Sequence, residues 1–128
     1  MLDYRKVVLD TNFLLIPGQF GVDIFEELQI RLDFPFKLYI MSGTLAELDK
    51  IIEKDKKKDK IAAEIAKKLL KSKKIKIIEQ PEMSVDDALV NLSKTTNIIV
   101  ATQDKELKSR LGCEKIILRQ KKYVKLVR

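Results

Sequence analysis

The stretch VVLDTNFLL, residues 7–15, places an aspartate directly after a run of apolar residues and follows it with threonine and asparagine. The β-branched residues before Asp10 predict a short strand that is covered on both faces. Asp10 then stands where the strand ends and a helix begins. A carboxylate at that position either caps the helix or holds a metal ion, and this stretch alone favours the cap.

The rest of the chain alternates in the same way. Four more short apolar segments read as strands, and amphipathic helical patterns lie between them. This alternation predicts one α/β domain over residues 1–128, a three-layer α/β/α sandwich around a central parallel five-stranded sheet. The predicted strands are 5–10, 37–41, 75–79, 97–102 and 115–118, and the predicted helices are 23–32, 44–52, 60–70, 85–93 and 105–111.

Three segments leave alternatives open. EKDKKKDK (53–60) is interpreted as a solvated connection between two helices or as one exposed helical turn, with RNA contact as the alternative. RQKKYVKLVR (119–128) predicts an edge strand or a hairpin, in which Tyr123 packs in the core or stacks on a base. The apolar residues of FGVDIFEEL (20–28) suit the core or an interface.

The residue types exclude several kinds of chemistry. Cys113 is the only cysteine and the chain has no histidine, so an internal disulfide, cysteine metal clusters, Ser-His-Asp catalysis and imidazole zinc sites are excluded. The four glycines form no phosphate-binding loop, which disfavours a nucleotide-binding module. No signal peptide and no apolar run of membrane-spanning length is evident, so we expect a cytoplasmic protein without a membrane partner.

The net charge of +7 favours a polyanionic partner such as nucleic acid. A Lys/Glu-rich surface adapted to high temperature is the alternative interpretation.

Acidic residues fall at the predicted strand-to-helix junctions. In a parallel sheet these junctions share the carboxyl edge, where open α/β sheets place their sites. Taken singly, the acids suit helix caps, and Thr44-x-x-Glu47 and Ser84-x-x-Asp87 match the capping-box pattern. The acids in question are Asp10, Glu47, Asp86, Asp87 and Asp104.

Several carboxylates that converge on one edge repel each other, which raises their pKa values or demands a cation. Because histidine and cysteine ligands are absent, oxygen ligands alone favour Mg²⁺ or Mn²⁺. Such an ion activates a bound water and offsets the charge of a phosphodiester, so hydrolysis of nucleic acid needs no histidine.

Four segments resemble, in order and spacing, the four motifs of PIN domains: VVLDTNFLL (7–15), GTLAELDKI (43–51), VDDALVNLS (85–93) and VATQDKELKSRL (100–111). The resemblance covers nearly the whole chain. It implies a PIN-like sandwich, Mg²⁺- or Mn²⁺-dependent endoribonuclease activity and a quartet of catalytic, metal-binding acids.

The resemblance assigns a position to each acid. Asp10 matches the first, Glu47 the second and Asp104 the fourth. Asp87 best matches the third acid because it begins the family's D-A-hydrophobe pattern.

Three further residues match supporting positions. Asp86 is a close competitor of Asp87 and contributes to the site. Asn12 and Thr102 match the small polar residues that hold the first and last acids through hydrogen bonds.

Two branches of the family compete for the biological role. VDDAL, VATQDKELKSRL and ILRQKKY (117–123) resemble endonucleases that process small-subunit ribosomal RNA and their small archaeal relatives, which favours rRNA processing. VapC toxins of toxin–antitoxin pairs share the size and the acids. The implied partners are ribosomal precursor or transfer RNA, a second copy of the chain, and an antitoxin or a ribosome-assembly protein.

Other readings are weaker or non-enzymatic. A haloacid-dehalogenase mechanism requires the pattern D-x-D, and Asn12 stands where its second aspartate would be. A receiver domain requires an aspartate at the end of the third strand, and Glu79 stands there in this sequence. A non-catalytic RNA-binding scaffold in ribosome assembly is the main alternative to an enzyme.

Overall fold

The structure is a computed structural model that describes residues 3–54 and 57–128. Six strands form one sheet in the order β3-β2-β1-β4-β5-β6. The strands are β1 (Arg5–Leu9), β2 (Phe36–Met41), β3 (Lys76–Ile78), β4 (Ile98–Ala101), β5 (Glu114–Arg119) and β6 (Tyr123–Val127). The helices are α1 (Thr11–Leu14), α2 (Ile16–Phe20), α3 (Ile24–Arg31), α4 (Ser42–Lys54), α5 (Lys57–Ser72), α6 (Val85–Ser93) and α7 (Lys105–Arg110).

The sheet is mixed, which corrects the predicted five-stranded parallel sheet. Strands β1 to β5 pair in parallel, and β6 pairs antiparallel with β5. The connection between β5 and β6 is too short for the crossover that a parallel pair needs, so it forms a hairpin. Gln120 and Lys121 both have positive φ, 54° and 55°, as a type I′ turn requires. The hairpin that the sequence offered for the tail is therefore confirmed.

Apolar residues cover both faces of the sheet. Successive residues of a strand point to opposite faces, so Val7 and Leu9 of β1 join one buried cluster and Val8 joins the other. Helices α1 to α5 contribute to the first cluster, and α6 and α7 contribute to the second. The molecule thus has the predicted three-layer arrangement.

The sequence predicts that a helix begins after Asp10, where α1 lies, but it predicts neither the extent of α1 nor the helix α2. Each is too short to display a helical repeat, and Pro17 with Gly18 reads as a chain break, although proline suits the first turn of a helix. Gly18 lets α2 lie directly on α5, because a Cβ at Gly18 would stand 2.5 Å from the Cα of Ala62.

The segments with open alternatives now have places. In the 20–28 stretch, Ile24, Phe25 and Leu28 are buried in the core, whereas Phe20 is exposed. The ring of half-buried Tyr123 has the Arg31 guanidinium 5.0 Å from its centre. In the 53–60 stretch, α4 runs to Lys54 and α5 begins at Lys57; residues 55 and 56 lie outside the described residues.

Among the described helices, none combines the length and the apolar character that crossing a bilayer requires.

Candidate active site

The candidate site lies where the strand order of the sheet reverses. Strands β1 and β4 are neighbours, and the chain leaves β1 toward one face and β4 toward the other. A crevice opens at such a point beyond the carboxyl ends of the strands. Here it is a cleft of about 410 Å³, and its acidic lining residues are Asp10, Glu47, Asp86 and Asp104.

Asp10 follows β1 and is buried, with 4% of its surface exposed. Its Oδ1 accepts a hydrogen bond from the Thr11 N–H at 2.8 Å, which caps α1, and its Oδ2 accepts one from the Thr102 hydroxyl at 2.7 Å. The pKa of Asp10 is raised to about 6, first by burial and to a lesser extent by the charges of Asp86 and Glu47, against these two bonds. Asp10 is thus both a helix cap and a carboxylate whose charge calls for a cation.

Thr102 and Asn12 join the ends of β1 and β4. The Thr102 hydroxyl donates to Asp10 and accepts the Asp104 N–H at 3.1 Å, so a single side chain links the two acids. The Asn12 Oδ1 accepts the Gln103 N–H at 3.0 Å. Thr102 thus makes the hydrogen bond to an acid that the resemblance implies, whereas Asn12 bonds to Gln103 and Thr102 and to neither acid.

Asp104 caps α7, with its Oδ1 accepting the Leu107 N–H at 3.1 Å. One carboxylate oxygen of Asp104 therefore caps the helix, and the residue also lines the cleft. As for Asp10, the cap and the site are compatible.

Glu47 reaches the cleft from α4. The helix begins at Ser42, so Glu47 lies in its second turn and does not belong to a capping box with Thr44 as the pattern indicated. The Thr11 hydroxyl donates a hydrogen bond to Glu47 Oε1, which orients this carboxylate toward the end of β1.

The doubled acid of α6 divides between the cleft and the outer surface. Asp86 lines the cleft, and its pKa is raised by burial first and then by the charge of Asp104. Asp87 instead accepts a 2.6 Å hydrogen bond from the Arg110 guanidinium, which lowers its pKa. Adjacent residues of a helix project about 100° apart, so the two side chains diverge. Asp87, expected beside the other acids, lies outside the cleft, and Asp86 lines it.

Sequence reasoning missed Lys50. Thr11 belongs to the stretch that the sequence singles out, and its N–H and hydroxyl hold the carboxylates of Asp10 and Glu47. Lys50 lines the cleft and makes no ion pair with any acid of residues 3–54 and 57–128. A usable signal existed, because residues three apart share a helix face and Lys50 follows Glu47 at that spacing.

The donor types suit a hard divalent ion, since the cleft offers carboxylate oxygens and one amide oxygen. Among the described residues, no three acidic or cysteine side chains stand close enough together to hold one ion. Glu47, Asp86 and Asp104 are partly exposed.

A larger cavity of about 530 Å³ lies at the opposite edge of the sheet, around the Arg5–Glu114 ion pair. None of the four cleft acids lines it.

Known proteins are similar to this chain in sequence and in fold. A family model described as a PIN like domain matches residues 7–121. Ribonuclease VapC4 of Methanocaldococcus jannaschii is 35% identical over 127 residues, covering 94% of this chain and 95% of that protein.

Solved structures agree. The PIN domain endonuclease Utp24 superposes with a TM-score of 0.74 at 25% identity, covering 94% of this chain and 90% of that one. A domain of a functionally unknown protein from Methanocaldococcus jannaschii shares the fold with a TM-score of 0.59 at 20% identity, covering 90% and 91%. With the family model and the VapC4 relative each spanning most of its length, the chain belongs to the PIN domain family.

Proposed function

We propose that this protein is a Mg²⁺- or Mn²⁺-dependent endoribonuclease that hydrolyses RNA phosphodiesters at the cleft between β1 and β4. The observation that carries the proposal is the gathering of four acids at the point of strand reversal. The name of the VapC4 relative describes a ribonuclease, and that of Utp24 an endonuclease, which supports the same activity.

In this proposal Asp10, Glu47, Asp86 and Asp104 hold the metal. A bound divalent ion supplies an activated water and offsets charge on the phosphodiester. Asp86 takes the role of third acid from Asp87, because Asp87 is paired with Arg110 outside the cleft.

The neighbouring hydroxyls and the lysine have separate tasks. Thr102 and Thr11 fix the carboxylates of Asp10 and Glu47 through the hydrogen bonds they donate. Lys50 brings a positive charge into a cleft whose other charged lining residues are acids, and we assign it to the phosphodiester.

The test is a cleavage assay with structured RNA, in Mn²⁺ and in EDTA. We expect cleavage by the unaltered protein in Mn²⁺ alone and its loss in Asp10→Asn and Asp104→Asn. Asp33→Asn is the matched control, because Asp33 is an exposed acid outside the cleft. Folding of each variant is verified by circular dichroism.

Two outcomes contradict the proposal. Cleavage that persists in Asp10→Asn would move the chemistry elsewhere. RNA binding without cleavage, equal in the unaltered protein and the variants, would support the non-catalytic scaffold.

The biological role proposed is processing of ribosomal RNA, which the likeness to Utp24 favours. The identity with VapC4 favours a second candidate, a VapC-type ribonuclease toxin. Mapping the cut in ribosomal precursor and in transfer RNA separates them: a defined cut in the precursor supports processing, and a cut confined to transfer RNA supports the toxin.

A further inference from the structure

A group of tyrosines and lysines lies on the sheet face that carries α6 and α7, near the starts of β1, β2 and β3. Tyr39 pairs with Val8 and with Lys76, which fixes the register of this group. Because side chains two residues apart share a face, Tyr4, Lys6 and Lys37 project on the same side. We call these five residues the Tyr–Lys patch: Tyr4, Lys6, Lys37, Tyr39 and Lys76.

Within the patch, positive charges and aromatic rings alternate. The Lys37 Nζ lies 4.3 Å from the centre of the Tyr4 ring, and the Lys6 Nζ lies 5.4 Å from that of Tyr39. The two tyrosine hydroxyls are 3.4 Å apart. Tyr39 is buried, Tyr4 and Lys6 are half-buried, and Lys37 and Lys76 are exposed. A ligand therefore meets Tyr4 and the lysines, with Tyr39 as their support.

The positive charge of the patch is unbalanced. In the part of the chain that the structure describes, Lys6, Lys37 and Lys76 form no ion pair with a carboxylate. The pKa of Tyr4 is lowered, first by the hydrogen bond with Tyr39 and then by the charges of these three lysines. All three charges therefore act on one ring, which leaves a concentrated positive potential beside an aromatic surface.

We propose that the Tyr–Lys patch binds single-stranded nucleic acid, with the lysines on phosphates and the Tyr4 ring against a base. Lysines without partners attract a polyanion, and every base offers a flat face to an aromatic ring. A duplex keeps its bases stacked away from such a ring, and an acidic polypeptide such as polyglutamate has no aromatic ring to place there. Lys6 lies on β1 and Asp10 directly follows that strand, about 13 Å from Lys6 at the usual rise per residue. That the bound strand continues into the cleft as substrate rests on the proposed function; binding at the patch does not.

The experiment measures binding of a fluorescent uridine oligonucleotide by anisotropy, in EDTA so that no cleavage enters. We expect Lys37→Gln to weaken binding several-fold and to reduce the slope of log affinity against log salt by about 0.7. Lys68→Gln is the matched control, because Lys68 is an exposed lysine on α5, behind the opposite face of the sheet.

Tyr4 separates stacking from charge. Tyr4→Leu should weaken binding about fivefold or more, whereas Tyr4→Phe should bind as the unaltered protein does because the ring remains. Photo-crosslinking of a 4-thiouridine oligonucleotide to the unaltered protein, mapped by mass spectrometry, should label Tyr4 and needs no variant to fold.

Several results would overturn the inference. These are equal losses in Lys37→Gln and Lys68→Gln, a folded Tyr4→Leu that binds normally, and crosslinks that avoid the patch. A duplex of equal length that binds as tightly as the single strand, or polyglutamate that competes as well as RNA, would also overturn it. Because the assay contains no metal, failure of the cleavage proposal does not affect its outcome.

Discussion

At the scale of single residues, Asp10 combines firm anchoring with an unfavourable charge. Two donors hold its carboxylate, yet burial still raises its pKa to about 6. In the unfolded chain an aspartate titrates near 4. Between these two pKa values the metal-free folded state binds more protons at Asp10 than the unfolded chain does. The free energy of unfolding therefore falls as the pH rises toward and through 6.

Replacing Asp10 with asparagine removes that charge. In EDTA at pH 7.5 we expect Asp10→Asn to raise the free energy of unfolding by about 1–3 kcal/mol, with the gain shrinking toward pH 4. Urea unfolding at several pH values measures it, with Asp33→Asn as control. A loss of stability that is the same at all pH values would contradict the expectation.

The adjacent acids of α6 provide the second residue-scale prediction. Asp86→Asn should reduce Mn²⁺-dependent cleavage about tenfold or more, because it removes a carboxylate from the cleft. Asp87→Asn should leave the rate nearly unchanged, because it breaks an exposed pair with Arg110 that contributes at most about 1 kcal/mol of stability. Each is the control for the other, and the reverse ranking would restore Asp87 as the third acid.

The same pair marks the limit of sequence reasoning about the site. Strand–acid junctions placed Asp10 and Asp104 at one edge, and the structure agrees. The choice within VDDAL depends on Arg110, which lies 23 residues further along the chain. No local pattern contains that contact. The family motif therefore favoured Asp87, whereas Asp86 lines the cleft.

At the scale of elements, the packing of α2 on α5 depends on the absence of a side chain at Gly18. The buried strands were predictable because a run of β-branched residues indicates a strand without knowledge of the residues that it packs against. The helix α2 and the extent of α1 were not, since α2 is stabilised by its contact with α5 and the core, and α1 by its contact with the core, α2 and α4.

Gly18→Ala should therefore destabilise the protein by about 1–3 kcal/mol, although alanine is the better helix former by about 1 kcal/mol. The new methyl group would meet the Ala62 backbone at 2.5 Å, which a change at the Ala62 side chain does not relieve. Urea unfolding measures the loss. Gly112→Ala is the control, because the nearest atom to its Cβ would be 3.7 Å away, and an equal loss there would refute the packing argument.

At the scale of the whole molecule, a net charge of +7 surrounds a cleft lined by four acids. The positive surface favours RNA association, and a divalent cation would relieve the repulsion among the acids. The composition predicted the positive charge, and the predicted strand-to-helix junctions indicated that acids gather at one edge of the sheet.

Mn²⁺ should accordingly raise the melting temperature of the folded protein. A concentration one hundred times the dissociation constant stabilises by about 2.7 kcal/mol, which differential scanning fluorimetry detects readily. EDTA should reverse the shift, NaCl at matched ionic strength should not reproduce it, and Asp10→Asn should lack it. An equal shift in that variant would place the ion outside the cleft.

The strand order has one more consequence. Strands β1 and β4, which end at the acids, occupy the middle of the sheet, while β3 and β6 form its edges. Local opening begins where backbone groups are least protected, and interior strands open last. The edges can therefore fray, lengthen or acquire insertions while the cleft keeps its shape, so evolution can revise the borders of this nuclease fold without disturbing its chemistry.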